Sequence, residues 1–329
     1  MIITQTPLRI GLLGGGTDLP GYYREHGGRV LNCALDKYVY VIVKQRFDDD
    51  IYINYSRKEI VSRIEDLEHE LVREAMLMTG VARGVEITTL ADIPSSGSGL
   101  GSSSAVTVGL LHALSVYQGR QVSAKELAEW ACTIEIERCG KPIGKQDQYI
   151  AAFGGIRDIR FGPGDEVVAE DLDLSPPGRR ALQRQIMLFY TGVTRSADPI
   201  LAEQNANVAS TRPQLDLLRD LAGFAADRLR NGDVDAIGPV MRESWEAKRK
   251  LAPGVSNDDI DQAVARALDA GASGAKLTGA GGGGFLLVIC PVERQRAVRQ
   301  SLADMREFPV KLDRLGSRVV LNVLRDIWI

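Results

Sequence analysis

The segment best suited to chemistry is Asp92-Ile93-Pro94-Ser95-Ser96-Gly97-Ser98-Gly99-Leu100-Gly101-Ser102-Ser103-Ser104-Ala105. It lies between a run that alternates like a strand and a run with helical spacing. Its glycines let the backbone turn with positive φ and approach a ligand closely, and the free N–H groups and dipole of the following helix favour a bound anion. Phosphate is the natural occupant: the serine hydroxyls can donate to its oxygens, and one can also ligate Mg²⁺, which prefers oxygen. The loop is not a Walker A sequence, which needs a lysine before the final Ser or Thr, and none lies within it. A second glycine run, Gly279-Ala280-Gly281-Gly282-Gly283-Gly284, matches G-x-G-x-x-G in form. A helical pattern precedes it and the apolar strand 285–290 follows, the reverse of the strand-then-helix order of a dinucleotide fold, which sets aside an NAD-dependent dehydrogenase. His26, His69 and His112 have no metal-ligand spacing, and Cys33, Cys132, Cys139 and Cys290 contain no C-x-x-C pair. A histidine-built zinc site is not expected, and the cysteines read as reduced thiols.

Elements on either side must position these loops. Residues 2–13, 38–45 and 51–55 read as strands, 63–78 as a helix and 85–90 as the strand feeding the serine loop. Helices are expected over 102–117 and 123–138, the second opening with the capping box Ser123 and Glu126. Residues 157–159 and 166–169 suggest a hairpin turning at Gly162-Pro163-Gly164. The stretch 173–180, with Pro176-Pro177-Gly178, reads as a linker, because paired prolines resist helix and sheet. Beyond it a strand at 185–190, helices at 197–210, 214–230, 234–250 and 258–270, a strand at 285–290, a helix at 292–305 and a strand at 318–323 make an α+β half. Domains of 1–180 and 181–329 follow from that division.

The 329 residues exceed what one core usually serves, in keeping with two domains. With 44% hydrophobic and 25% charged residues and a formal charge of −3, the chain has the composition of a soluble protein with no electrostatic call for nucleic acid. No basic leader and no long apolar run is present, so neither membrane nor export is expected and the location reads as cytoplasmic. A homodimer is compatible with this pattern and not required by it.

Three segments in this order resemble the GHMP kinases: Thr6-Pro7-Leu8-Arg9-Ile10 running into Gly14-Gly15-Gly16-Thr17-Asp18, then 94–105, then Lys276-Leu277-Thr278-Gly279 through Gly284. The middle one is near the family's P-x-x-x-G-L-G-S-S-A, with one more residue after Pro94 and an extra Ser104 before Ala105. Within the family the resemblance is to sugar kinases of the D-glycero-D-manno-heptose 7-phosphate type. It rests on residues 13–18, on Arg24-Glu25-His26-Gly27-Gly28, on Gly144-Lys145-Gln146-Asp147-Gln148-Tyr149 and on 190–196. Galactokinase and mevalonate kinase carry Gly-Glu-His where this chain has Gly14-Gly15-Gly16. The fold implied is a two-domain α+β GHMP kinase, with an N-terminal α/β domain containing a left-handed β-α-β unit and a C-terminal ferredoxin-like domain.

The resemblance also implies roles. ATP and Mg²⁺ are the expected cofactors and a small-molecule sugar phosphate the acceptor, phosphorylated at its anomeric hydroxyl. Asp147 resembles the catalytic base, with the permanently charged Arg9 as its partner and as a stabiliser of the transferring phosphoryl group. Pro94, Ser96, Gly97, Ser98, Gly99, Leu100, Gly101, Ser102, Ser103 and Ser104 would hold the nucleotide. Ser103 with Glu137 or Glu135 would bind the metal, Glu137 slightly preferred. Asp18, Thr17, Gly15, Gly16, His26, Gly144, Gln146, Gly281 and Gly282 would meet the sugar. Arg195, Lys145, Lys37 and Lys276 are the cations available for a phosphate on its side arm, with Lys37 reading equally well as a surface pair with Asp36. The alternatives are another sugar kinase of this family, of the fucose or galactose type, or a non-catalytic sugar or nucleotide sensor on the same scaffold.

Overall fold

The computed structural model describes residues 1–93 and 97–323. The chain opens with β1 (Ile2–Leu13), α1 (Pro20–His26), β2 (Gly28–Gln45), β3 (Ile51–Asn54), β4 (Lys58–Val61), α2 (Glu70–Thr79) and β5 (Val85–Ala91). Three helices follow, α3 (Ser102–Tyr117), α4 (Ala124–Cys132) and α5 (Gln146–Phe153), then the hairpin β6 (Ile156–Phe161) and β7 (Val167–Asp171) and α6 (Pro176–Gln185). The remainder runs β8 (Ile186–Tyr190), α7 (Asp198–Ala206), α8 (Arg212–Arg230), α9 (Ile237–Lys248), α10 (Asp258–Asp269), β9 (Gly274–Leu277), β10 (Phe285–Ile289), α11 (Gln295–Ser301), β11 (Arg306–Glu307) and β12 (Arg318–Asn322).

Eight strands form one mixed sheet in the order β12-β1-β2-β5-β3-β4, with β6 also pairing β2 and carrying β7. Among the described residues its one parallel pair is β3 with β5. The buried Leu8, Ile10, Val39, Val41 and Val43 recur at alternate positions along β1 and β2, so one face of the sheet is apolar. α3 packs on this sheet and against α2, α4 and α5, which explains why its sequence is apolar nearly all round. Gly109 lets it come close: a Cβ there would stand 2.9 Å from Thr6 Oγ1 and 3.1 Å from Val41 Cγ2.

The second sheet holds four antiparallel strands in the order β11-β8-β10-β9. Taken along the chain these are strands 4-1-3-2 of a β-α-β-β-α-β unit, the ferredoxin-like arrangement expected. β12 does not stay with this sheet: its residues 318–322 return to pair with residues 2–5 of β1. A cut at 180/181 therefore does not separate the two sheets.

Several expectations need correction. Residues 173–180 are no linker. Ser175 Oγ accepts from the Gly178 N–H at 3.2 Å and Pro176 occupies the first turn, where its missing N–H costs nothing and its fixed φ suits a helix, so α6 starts there. The helix expected from 63 begins only at Glu70, behind a single 3₁₀ turn. The strand expected from 38 reaches back to Gly28, and α1, β4, α5, β9 and β11 were too short to announce themselves by periodicity. The helix over 123–138 is continuous but widens into a π-helix at Thr133–Arg138, where the Cys139 N–H reaches Ile134 O, five residues back, at 2.9 Å. The helix over 292–305 is a 3₁₀ turn and then the seven residues of α11. Among the described residues no helix is long and apolar enough to cross a membrane.

Candidate active site

A cavity of about 490 Å³ is lined by the glycine turn after β1, the start of α3, the segment before α5, the loop after β8, Lys248 of α9 and the loop after β9. Arg9 lies within the buried stretch of β1, between Leu8 and Ile10, and lines this cavity. Its Nε donates to Asp147 Oδ1 at 2.7 Å and its Nη2 to Asp147 Oδ2 at 2.5 Å, a two-point fork, while Nη1 donates to Gly99 O at 2.5 Å. The Arg9 side chain is 7% exposed and that of Asp147 is 23% exposed. One guanidinium thus fastens the carboxylate to the serine loop, and the backbone N–H of Arg9 adds a bond to Leu100 O at 3.0 Å.

The serine loop enters α3 through Gly101, whose φ of 74° only glycine takes easily, and a Cβ there would lie 3.0 Å from Arg9 Cγ. The two glycine loops meet backbone to backbone: a Cβ on Gly279 would stand 2.7 Å from Gly99 Cα, and one on Gly284 2.4 Å from Ser98 O. Ser102 Oγ and Thr278 Oγ1 are buried without a partner among the described residues, and both residues line the cavity. Hydroxyls left so are donors in want of an acceptor, as a bound phosphate would supply. Pro94 and Ser96 lie outside the described residues, and Leu100 turns its side chain into the core.

The structure distinguishes the two glutamates considered for metal. Glu135 is 0% exposed; its Oε1 accepts from Ser103 Oγ at 2.6 Å and its Oε2 from Gln148 Nε2 at 2.7 Å. Burial pushes its carboxyl above the usual range, with Asp147 adding to the effect, while the hydrogen bonds from Ser103, Ser104 and Gln148 oppose it. Glu137 sits two residues on, exposed at the surface. Mg²⁺ is commonly held by one or two carboxylates together with the nucleotide's phosphates and water, so a buried carboxylate bonded to a serine at the head of α3 fits it. Among the described residues there is no cluster of three or more His, Cys, Asp or Glu that would hold a metal by itself.

Asp18 is buried in the wall of the same cavity, with Asp147 as a neighbouring charge. Its Oδ1 accepts from the Gly16 N–H at 3.1 Å and its Oδ2 from the Gln146 N–H at 3.3 Å. Burial, and then the charge of Asp147, raise its pKa. A Cβ on Gly144 would fall 2.0 Å from Asp18 Oδ2, which is why a glycine faces it. Gly15, Gly16, Gln146, Arg195, Lys276 and Gly281 also line the cavity.

Other expected residues lie elsewhere. Lys145 Nζ is paired with Asp165 at 2.9 Å over the Tyr23 ring, His26 packs on Tyr22, and Lys37 rests near Asp36 and the Phe308 ring. Thr17 is consumed in holding the turn: its hydroxyl accepts from the Arg29 N–H and shares its one proton between Gly14 O and Arg29 O. Gly282 faces Ile200 and the carbonyl of Gly254. Sequence reasoning passed over Lys248 and Gln204. Lys248 Nζ donates to Gly15 O at 3.0 Å and to Gln204 Oε1 at 2.8 Å. The signal was available: Lys248 continues the buried stripe Met241, Ser244 and Trp245 of α9, where a lysine needs a reason.

The models of the GHMP kinases N terminal domain and of the GHMP kinases C terminal match residues 54–155 and 225–307. The chain is 30% identical to a D-glycero-alpha-D-manno-heptose 7-phosphate kinase of Campylobacter jejuni, over 93% of this chain and 96% of that one. It is 28% identical to a galactokinase of Thermococcus kodakarensis, over 91% and 92%. Among solved structures it is similar to a D-glycero-D-manno-heptose 1-phosphate kinase from Bacteroides thetaiotaomicron, with a TM-score of 0.81 and 25% identity over 98% of this chain and all of that one. With both family domains matched and a full-length relative at this identity, the chain belongs to the GHMP kinases and is an ATP-dependent phosphotransferase.

Proposed function

We propose that the protein transfers the γ-phosphoryl group of ATP to the anomeric hydroxyl of D-glycero-D-manno-heptose 7-phosphate. The product would be the 1,7-bisphosphate, made in the cytoplasm toward nucleotide-activated heptose for a surface polysaccharide. The observation that carries the reading is the fork between Arg9 and Asp147, set in one cavity with Asp18 and the head of α3. In the transfer a bond forms between the acceptor oxygen and Pγ, the bond from Pγ to the β,γ-bridging oxygen breaks, ADP leaves, and the hydroxyl proton passes to Asp147. Each Asp147 oxygen accepts one bond from Arg9 and keeps a second lone pair for that proton. Arg9 steadies the carboxylate and lends positive charge where the phosphoryl group passes, and phosphoryl transfer asks little else of a protein than such positioning and charge. Asp18, fixed by two backbone N–H groups, offers its remaining lone pairs to sugar hydroxyls. Ser103 and Glu135 would hold Mg²⁺, which when bound neutralises phosphate charge.

The names of the two heptose kinase relatives place the acceptor's existing phosphate differently, at position 7 in one and position 1 in the other. ADP release should therefore be followed with heptose 7-phosphate, heptose 1-phosphate, mannose, fucose, galactose and mevalonate. The expected outcome is highest kcat/KM for the 7-phosphate. Preference for any other acceptor would refute the substrate assignment and leave the phosphotransferase intact.

A further inference from the structure

Two lysines in the cavity have no part in the transfer as described. Lys248 of α9 spends two of its three N–H donors on neutral acceptors, Gly15 O and Gln204 Oε1, and has Asp18 as its anionic neighbour. Lys276 of β9 feels Lys248 and Arg9, both cations. The charge of Arg9 is already committed to Asp147 through the two-point fork. Among the described residues the cavity is lined by five cations, Arg9, Lys141, Arg195, Lys248 and Lys276, and by four carboxylates, Asp18, Glu70, Asp147 and Asp198, of which Glu70 and Asp198 lie with Lys141, so one cation is in excess. Burial pushes Lys248 down to about 8 and Lys276 down to about 7, so the cavity without ligand strains to keep both charged. A buried cation without a partner is costly, and an arriving anion removes that cost. The phosphates of the nucleotide have their own donors in the serines and N–H groups at the head of α3. Arg195 also lines the cavity but is exposed to solvent.

We infer that Lys248 and Lys276 form a pocket for a phosphate that the acceptor already carries, which makes the enzyme select sugar phosphates over free sugars. The inference rests on the sugar kinase reading above and adds the residues that set its substrate class. Gln204 is the positioning residue: its Oε1 holds the Lys248 ammonium while its Nε2 donates to Ala280 O at 3.2 Å, which ties the lysine to the second glycine loop.

The test compares wild type with Lys248→Met and Lys276→Met, using heptose 7-phosphate and the unphosphorylated heptose as acceptors. Each lost charge-assisted bond should lower the ratio of kcat/KM between phosphorylated and free sugar by roughly 10- to 100-fold, with KM for ATP shifting less than about threefold. Lys276→Met is the safer variant if Lys248→Met disturbs folding, because Lys248 also holds Gly15 and Gln204. A ratio unchanged in either folded variant overturns the inference. So does a rise confined to KM for ATP, which would put the lysines on the nucleotide's phosphates, and so does a wild type that does not distinguish the two sugars. If wild type phosphorylates no sugar, the kinase reading of the acceptor fails by itself. Calorimetric titration of heptose 7-phosphate without nucleotide then decides: binding weakened at least tenfold in both variants supports the pocket, and absent binding, or binding equal to wild type, overturns it.

Discussion

Replacing Asp147 by asparagine changes one atom of the fork and nothing in its shape. Arg9 Nε and Nη2 now lie at 2.7 and 2.5 Å from two carboxylate oxygens. In Asp147→Asn one of those positions becomes an NH₂ group, a donor set against a donor. One charge-assisted bond of about 1.5–3 kcal/mol is lost and the guanidinium loses its counter-charge. The 23% exposure of the Asp147 side chain admits water and discounts the cost, so a net loss of about 1–3 kcal/mol is expected, a fall of a few degrees in Tm. The Nη1 bond from Arg9 to Gly99 O is untouched, so the serine loop keeps its anchor and ATP should bind as before. Removal of the base should lower kcat by at least about 10²-fold. Arg9→Met removes the anchor as well and should both lower kcat and raise KM for ATP. The assay is ADP release at saturating and limiting ATP, with nucleotide affinity measured separately by calorimetry. A folded Asp147→Asn enzyme that binds ATP and keeps kcat within tenfold of wild type would refute the assignment of the base. Equal effects of the two substitutions on KM for ATP would refute the anchoring argument.

Two further predictions come from buried charges. Glu135→Gln should raise the Mg²⁺ concentration that half-saturates Mg²⁺-dependent ATP binding by tenfold or more, followed by calorimetry, while Glu137→Gln at the surface should change it less than twofold; the reverse ranking would return the metal to Glu137. For pH, the depressed values of about 8 for Lys248 and about 7 for Lys276 mean that between about pH 7 and the ordinary lysine value of 10.5 the unfolded chain binds more protons than the folded one. Stability of the ligand-free protein should therefore gain from rising pH across that window, by up to about 1.4 kcal/mol per pH unit for each lysine. Urea unfolding at several pH values should show a smaller gain in Lys276→Met, and an identical slope would count against an uncompensated ammonium there.

The parts of the fold that were legible are those with long periodic signals. β1 and α3 were placed to the residue, since β1 runs out at the turn Gly14-Gly15-Gly16 and α3 is a long apolar run between Gly101 and Gly119. The GHMP kinase fold followed from motifs spread along the chain. What was missed depends on single contacts. The Ser175 bond to the Gly178 N–H turns a proline pair into a helix start, and the distinction between Glu135 and Glu137 requires knowing that the helix widens at Thr133. For the site, Arg9, Asp18, Asp147 and the serines at 102–104 line the cavity though far apart in sequence. Lys248 could be noticed as a lysine on the apolar stripe of α9 but not assigned to the site, because its partners, Gly15 and Gln204, are 233 and 44 residues away. Lys145 shows the opposite error: it stands beside Gln146 and Asp147 in the motif, yet its side chain leaves the site for Asp165.

The return of β12 to β1 has a consequence for how the molecule is made. Residues 2–5 are synthesised more than 300 residues before their partners at 318–322. Until then one edge of β1 offers unpaired N–H and C=O groups to any passing strand. Pairing across such a sequence distance is slow, because the loop must close before its contacts are gained. Arg9 lies on that same strand, so the last stitch of the sheet is sewn only a few residues upstream of it. A fragment ending at residue 180 would leave that seam open.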